Sequence, residues 1–248
     1  MRAILSSLAA AFLVMGTGAC ITRGRIPQTL TGEEKAAAQE HEKALLEAAA
    51  REDAEALYQL GQVYQYGTFG TLDMDKALVY YQKAIDLGNP EAMVAMGMYK
   101  LSGWNGEKID AMAARRLFSQ AAAAGHSGAW NNLGVMAENG IGRPVDMATA
   151  LEYYECAARN GNPVGAGNAA EFYFYGKEPV EIDYAKARQL FEQAAQSGDV
   201  NALQHLGAIY FLGLGTEVDE TKARSYLTGW DEEKQNEFFD IMRERFAK

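Results

Sequence analysis

Cysteine is nearly absent from this chain: Cys20 and Cys156 are the only two in 248 residues. That excludes a disulfide framework and any zinc site of the CxxC type. Histidine is scarce as well. His41, His126 and His205 are the full set, and no two stand at metal-ligand spacing. Basic charge is in deficit, with 23 Lys and Arg against 33 Asp and Glu and a net charge of −10. A nucleic-acid binder needs a basic face, and so does a protein that binds anionic membrane through a basic patch, so both classes are excluded. No G-x-S-x-G, H-E-x-x-H or phosphate-loop sequence occurs. Gly140-Ile141-Gly142 and Gly213-Leu214-Gly215 follow helical segments and lack a third glycine, so they read as interhelical turns. The expectation is a protein without catalytic residues, metal or cofactor.

What the chain has is a period. Gly61, Gly97, Gly134, Ala170 and Gly207 are separated by steps of 36, 37, 36 and 37 residues. Six positions further on, glycine recurs at 67, 103, 140, 176 and 213. Alanine recurs at 77, 114, 150, 187 and 223, each preceded four residues earlier by aspartate. A fixed period of this length means a solenoid, in which each unit stacks on its neighbours.

Each unit reads as two helices. In the first, Leu57, Leu60, Gly61 and Tyr64 share one helical face. Gly61 costs about 1 kcal/mol of helix propensity relative to alanine, and the missing side chain is expected to admit the second helix. That helix opens at Asp73 and its equivalents Asp110, Asp146, Asp183 and Asp219, all good N-caps. The aliphatic residue before each (Leu72, Ile109, Val145, Ile182, Val218) is expected to form a hydrophobic staple onto the recurring alanine. Gly88, Gly125, Gly161 and Gly198 are expected to end these helices in the left-handed conformation. Repeat four departs most, with Gly165, Ala169 and Ala170 in place of Ala, Leu and Gly, and loose packing is expected there. Cys156 stands at a position that is polar elsewhere, at Lys83, Gln120 and Gln193, so a surface thiol without a role is expected. His126 and His205 are expected at the surface.

The recurring pattern A-x-x-x-L-G-x-x-Y-x-x-G, a loop with Asp, then K-A-x-x-Y-Y-x-x-A and Gly, resembles the Sel-one-like repeat, a relative of the tetratricopeptide repeat. The last copy shows it in Ala202, Leu206, Gly207, Tyr210, Gly213, Asp219, Lys222, Ala223 and Tyr226. The resemblance implies an all-α, right-handed α-solenoid of about five helix-turn-helix repeats over residues 53–228. Cap helices are expected at 32–52, opened by a capping box at Thr31–Glu34, and at 229–248, with an apolar stripe of Phe238, Phe239, Met242 and Phe246. It also implies that the first helix of each pair lines a concave groove. Counting from Leu60 and its equivalents, the groove residues are Tyr58, Gln62, Tyr66, Met98, Asn131, Glu138, Glu171, Phe174, Tyr175 and Phe211, with Tyr66, Met98, Phe174 and Tyr175 the best anchors. Aromatic anchors among polar groups suit a protein or peptide partner. Phe211 has an alternative, which is to pack against the C-terminal helix.

The first nineteen residues read as a leader. Arg2 gives a positive start, and residues 3–15 are apolar apart from Ser6 and Ser7, too short a run to span a membrane. The small residues Gly16 to Ala19 before Cys20 resemble a bacterial lipoprotein signal. That resemblance implies cleavage after residue 19, lipidation of Cys20 and a flexible tether over 20–31. Ile21 after the cysteine implies an envelope protein held in the outer membrane, facing the periplasm. Two functions follow from the resemblances: an adaptor or scaffold of the envelope, or an immunity protein that neutralises a periplasmic toxin. A β-lactamase-like hydrolase is a minor third, disfavoured because that subgroup of the family has paired cysteines.

Overall fold

The computed structural model describes residues 32–67, 72–103 and 108–246, with side chains from residue 39. The leader, Cys20, the tether and Thr31 lie outside the described residues. Those residues form twelve α-helices and no strand. The helices are α1 (Gly32–Ala49), α2 (Ala54–Tyr66), α3 (Met74–Asp86), α4 (Pro90–Ser102), α5 (Ala111–Ala123) and α6 (Ser127–Glu138). They continue as α7 (Met147–Arg159), α8 (Pro163–Tyr175), α9 (Tyr184–Ala195), α10 (Val200–Leu212), α11 (Glu220–Ser225) and α12 (Glu232–Phe246). The pairs α2/α3, α4/α5, α6/α7, α8/α9 and α10/α11 are the five repeats. The chain divides into two compact units, one ending at Ala129 and one beginning at Trp130.

Capping sets the helix boundaries. Asp73, Asp110, Asp146, Asp183 and Asp219 each accept a hydrogen bond from the backbone N–H three residues on, at 2.9–3.0 Å. Asp53, Asn89, Asn162 and Asp199 do the same for four of the first helices. Each bond satisfies a donor that the helix cannot, for about 1 kcal/mol.

The hydrophobic staple does not form as expected. Val218 is 66% exposed and Val145 59%, and Leu72, Ile109 and Ile182 are also exposed. Four of these side chains instead lie beside the glycine that ends the preceding helix. A Cβ built on Gly140, Gly176 or Gly213 would sit 3.0, 2.8 or 2.9 Å from Val145, Ile182 or Val218, and one on Gly67 would sit 3.3 Å from the Leu72 Cβ. These glycines also have φ near +65°, a conformation costly for any residue with a Cβ. The aliphatic therefore covers the turn rather than the helix it precedes.

The recurring Gly61 position behaves as expected in three repeats. A Cβ there would lie 2.4 Å from the Tyr81 ring, at Gly97 2.6 Å from Phe118, and at Gly134 2.6 Å from Tyr154. All three rings are buried. Repeat five is roomier, because a Cβ on Gly207 would meet nothing closer than 3.4 Å. The expectation of loose packing in repeat four fails. Ala166, Ala169, Ala170, Phe172 and Phe191 are all fully buried. Small residues let α8 approach α7 closely: a Cβ on Gly165 would fall 2.3 Å from that of Ala157.

In the second unit α12 covers the last repeat. Phe239 is buried and stacks on Phe211 at 4.0 Å, while Phe246 meets Phe174 edge-on at 5.6 Å. In the first unit α1 packs on α2 through Leu45, next to Leu60 and Val63. Among the described residues no helix is long and apolar enough to cross a membrane.

Candidate interaction faces

The expected groove residues all come from first helices, and the structure separates them into two kinds. Tyr66 and Tyr175 are 36% and 37% exposed, while Gln62, Met98, Asn131, Glu138 and Glu171 are half-buried. Tyr58, Phe174 and Phe211 are buried, which corrects their assignment as partner contacts. Phe174 is 2% exposed, enclosed by Tyr184, Phe191, His205 and Phe246. Phe211 lies under Phe239, the packing alternative that the sequence left open.

A register explains the division. The fifth residue after Leu60 and its equivalents stands in register with the large side chain four residues after the recurring alanine, and the two meet in repeats one, three and four. The pairs in chain order are Gln65 with Tyr81, Leu101 with Phe118, Glu138 with Tyr154, Phe174 with Phe191 and Phe211 with Leu227. Where the second helix carries a hydroxyl the first carries an acceptor, and where it does not the first is apolar. The structure shows both polar pairs bonded. The Tyr81 hydroxyl donates to Gln65 Oε1, and that of Tyr154 donates to Glu138 Oε2 at 2.7 Å.

In the first unit this builds a tyrosine cluster. The Tyr58 and Tyr81 rings lie 5.9 Å apart, and Gln62 donates to the Tyr58 hydroxyl at 2.7 Å. Burial, then the neighbouring Tyr66, Glu55 and Glu91, pushes the Tyr58 phenol up to about 12. Burial likewise raises Tyr81 and Tyr66. These phenols stay protonated at neutral pH and act as hydrogen-bond donors and acceptors, not as bases.

The second unit carries an acidic network. Lys177 Nζ lies 3.5 Å from Glu138 Oε1 and 3.3 Å from Glu171 Oε2, bridging the two carboxylates. Asn201 donates to Glu171 at 3.0 Å, and Asn168 donates to Asn131 at 2.8 Å. Tyr154 is raised by burial and then by the Glu138 charge. His205, expected at the surface, is instead stacked on Phe191 at 4.5 Å, with Nε2 3.0 Å from the Tyr175 hydroxyl and Nδ1 2.8 Å from the Asn201 carbonyl. Burial lowers its pKa. Arg245 of α12 reaches over the Tyr175 ring at 5.4 Å. Lys177, Asn168, Asn201 and His205 were not marked by the period because they fall at variable positions, and Arg245 because it lies beyond the last repeat. Cys156 is half-buried, and the Arg159 guanidinium donates to its Sγ at 3.1 Å. No group of three metal-ligating side chains occurs among the described residues.

The Sel1 repeat family model matches residues 54–89, 90–126, 129–162, 164–199 and 200–228. The chain belongs to the Sel1 repeat family. Its five matched repeats coincide with the five helix pairs. An uncharacterized protein of Neisseria meningitidis serogroup B is 30% identical over 169 residues, 68% of this chain and 34% of that one. Chitin synthase regulatory factor 1 of Schizosaccharomyces pombe is 32% identical over 116 residues, 45% of this chain and 25% of that one. The chain thus spans about a third or less of these curated relatives. A Sel1 repeat protein from Oxalobacter formigenes superposes with TM-score 0.68 at 27% identity, covering 84% of this chain and 80% of that one. A Pseudomonas aeruginosa immunity protein shares the fold, with TM-score 0.51 at 20% identity over 98% of this chain and 81% of that one. Sel1 repeats are a protein-interaction module type, and no enzyme family is indicated.

Proposed function

We propose that this Sel1-repeat protein is a non-enzymatic adaptor or scaffold that binds protein or peptide segments on its first-helix faces. We further propose that a lipid on Cys20 anchors it in the bacterial envelope, in the outer membrane facing the periplasm. The observation that carries the binding reading is the pair of exposed tyrosines, each set among fixed polar groups: Tyr66 beside the Tyr58–Gln62 pair, and Tyr175 beside His205 and Arg245. A large amphipathic ring held in place loses little entropy on binding, which is what makes tyrosine an effective interface residue. The anchoring reading is supported by the small residues before Cys20.

The test is affinity capture from envelope extract with wild type and with Tyr66→Ala/Met98→Ala/Tyr175→Ala. Loss of the captured partner from a variant of unchanged helicity supports the reading. Retention of every partner contradicts it. A single stoichiometric, tightly held partner would favour the immunity role, and several envelope partners the adaptor role. For the anchor, Cys20→Ser should abolish detergent partitioning, and unchanged partitioning and mass would exclude lipidation.

A further inference from the structure

Two junctions of the second unit are closed by the same three-residue clamp. At the first, the Tyr173 hydroxyl donates to Glu155 at 2.8 Å. Lys186 reaches Glu155 at 2.7 Å and the Tyr173 hydroxyl at 2.6 Å, with its amine 4.0 Å from the ring centre. At the second, Tyr210 donates to Glu192 at 3.0 Å and Lys222 reaches the Tyr210 hydroxyl at 2.7 Å, again 4.0 Å from the ring centre. The three residues come from consecutive helices α7, α8 and α9, then α9, α10 and α11.

The same repeat positions at the junction of repeats one and two are Gln82, Lys100 and Ala113. None can rebuild the clamp: the carboxylate is an amide, the phenol is an amine and the lysine is a methyl group. Gln82 donates instead to Asp86, at 2.9 Å. All three line an open cleft of about 530 Å³, whose apolar lining includes Leu78, Val79, Met96 and Leu117. Val79 is 55% exposed. Two cations, Lys100 and Arg116, line the same cleft, and neither forms an ion pair with a described residue. In a chain with a net charge of −10, two cations beside an apolar floor offer an acidic ligand charge complementarity.

We propose that this cleft is a second docking site, and that its occupant is an acidic segment of a partner protein presenting a branched aliphatic side chain between carboxylates. The aliphatic side chain covers Leu78, Val79 and Leu117. The carboxylates meet Lys100, whose amine lies 5.6 Å from the centre of the Tyr99 ring, and Arg116. Apolar contact supplies affinity and the two cations supply selection for acidic sequence.

The experiment selects a random heptapeptide display library on the full chain and then measures the enriched peptides, fluorescein-labelled, by anisotropy. Enrichment of Asp or Glu flanking Leu, Ile or Val is expected. Lys100→Ala/Arg116→Ala should weaken binding about tenfold or more, with a steep salt dependence. The decisive variant restores the clamp. Gln82→Glu/Lys100→Tyr/Ala113→Lys copies the set that folds at the two other junctions, so it should keep wild-type helicity and lose the peptide. Tyr66→Ala/Tyr175→Ala should leave the peptide bound, which separates this site from the first-helix faces. No enrichment, enrichment of acid-free peptides, or binding that survives clamp restoration would overturn the proposal. So would sedimentation showing a dimer of this chain that clamp restoration dissolves, since that would make a second copy the occupant.

Discussion

Repeats three and four sit side by side in the second unit and solve the same packing problem with opposite chemistry. In repeat three the second-helix aromatic is Tyr154, and its hydroxyl ends on Glu138, which also holds Lys177 at the surface. In repeat four it is Phe191, and the equivalent of Glu138 is Phe174, sealed in by five rings, Tyr175 among them. One hydroxyl group decides whether the last turn of the first helix offers a polar surface or adds to the core. A position inside a repeat is therefore not a recognition position by virtue of its register alone. Its partner on the second helix decides.

The largest expected effect tests this directly. Phe174→Ala should cost about 3–5 kcal/mol of stability, as large-to-small changes in full cores do. Its neighbour Tyr175→Ala, at 37% exposure, should cost about 1 kcal/mol or less. Chemical denaturation of both variants gives the comparison, and equal losses would break it. Next comes the glycine beneath the aromatic. Gly134→Ala forces a Cβ to 2.6 Å from Tyr154 and should cost about 1–3 kcal/mol. Gly207→Ala meets nothing closer than 3.4 Å and should be neutral or stabilising by up to about 1 kcal/mol from helix propensity. Opposite signs in the melting shifts are expected.

A pH series sharpens the contrast from the repeat-four side. Burial against Phe191 lowers the His205 pKa below its unfolded value of 6.5. The unfolded chain then binds the proton more readily, so this contribution to stability is fully present above 6.5 and declines as pH falls below it. Thermal melts between neutral and mildly acidic pH should show a decline that His205→Gln reduces. An identical decline in the variant would place the titration elsewhere.

Much of this was legible in the residues. The period, the aspartate caps and the close approach at Gly61, Gly97 and Gly134 follow from local rules of helix termini and side-chain volume. The exposed Tyr66 and Tyr175 also followed from helical counting. What failed did so for tertiary reasons. Val145 and Val218 sit where a staple belongs, but the left-handed glycine turn behind them is the nearer apolar surface. Phe174 was read as an anchor because counting along one helix cannot see Phe246 arriving from α12. His205 lacks any repeat signature, and it is half-buried by Phe191 and Phe174 on other helices. The Glu155–Tyr173–Lys186 clamp spans three helices and shows as a pattern only once they are packed.

The pairing of hydroxyl with acceptor is tested most directly in repeat one, by a double-mutant cycle on Tyr81→Phe and Gln65→Leu, the Phe and Leu combination that repeat two carries natively at Phe118 and Leu101. Gln65→Leu alone strands the buried Tyr81 hydroxyl and should cost about 1–3 kcal/mol, and Tyr81→Phe alone should cost about 1 kcal/mol. The double variant should recover most of the loss, with a coupling energy of about 1 kcal/mol or more from denaturant unfolding. Losses that simply add, within about 0.3–0.5 kcal/mol, would show that the two positions are independent and that the hydroxyl does not decide which way the first helix faces.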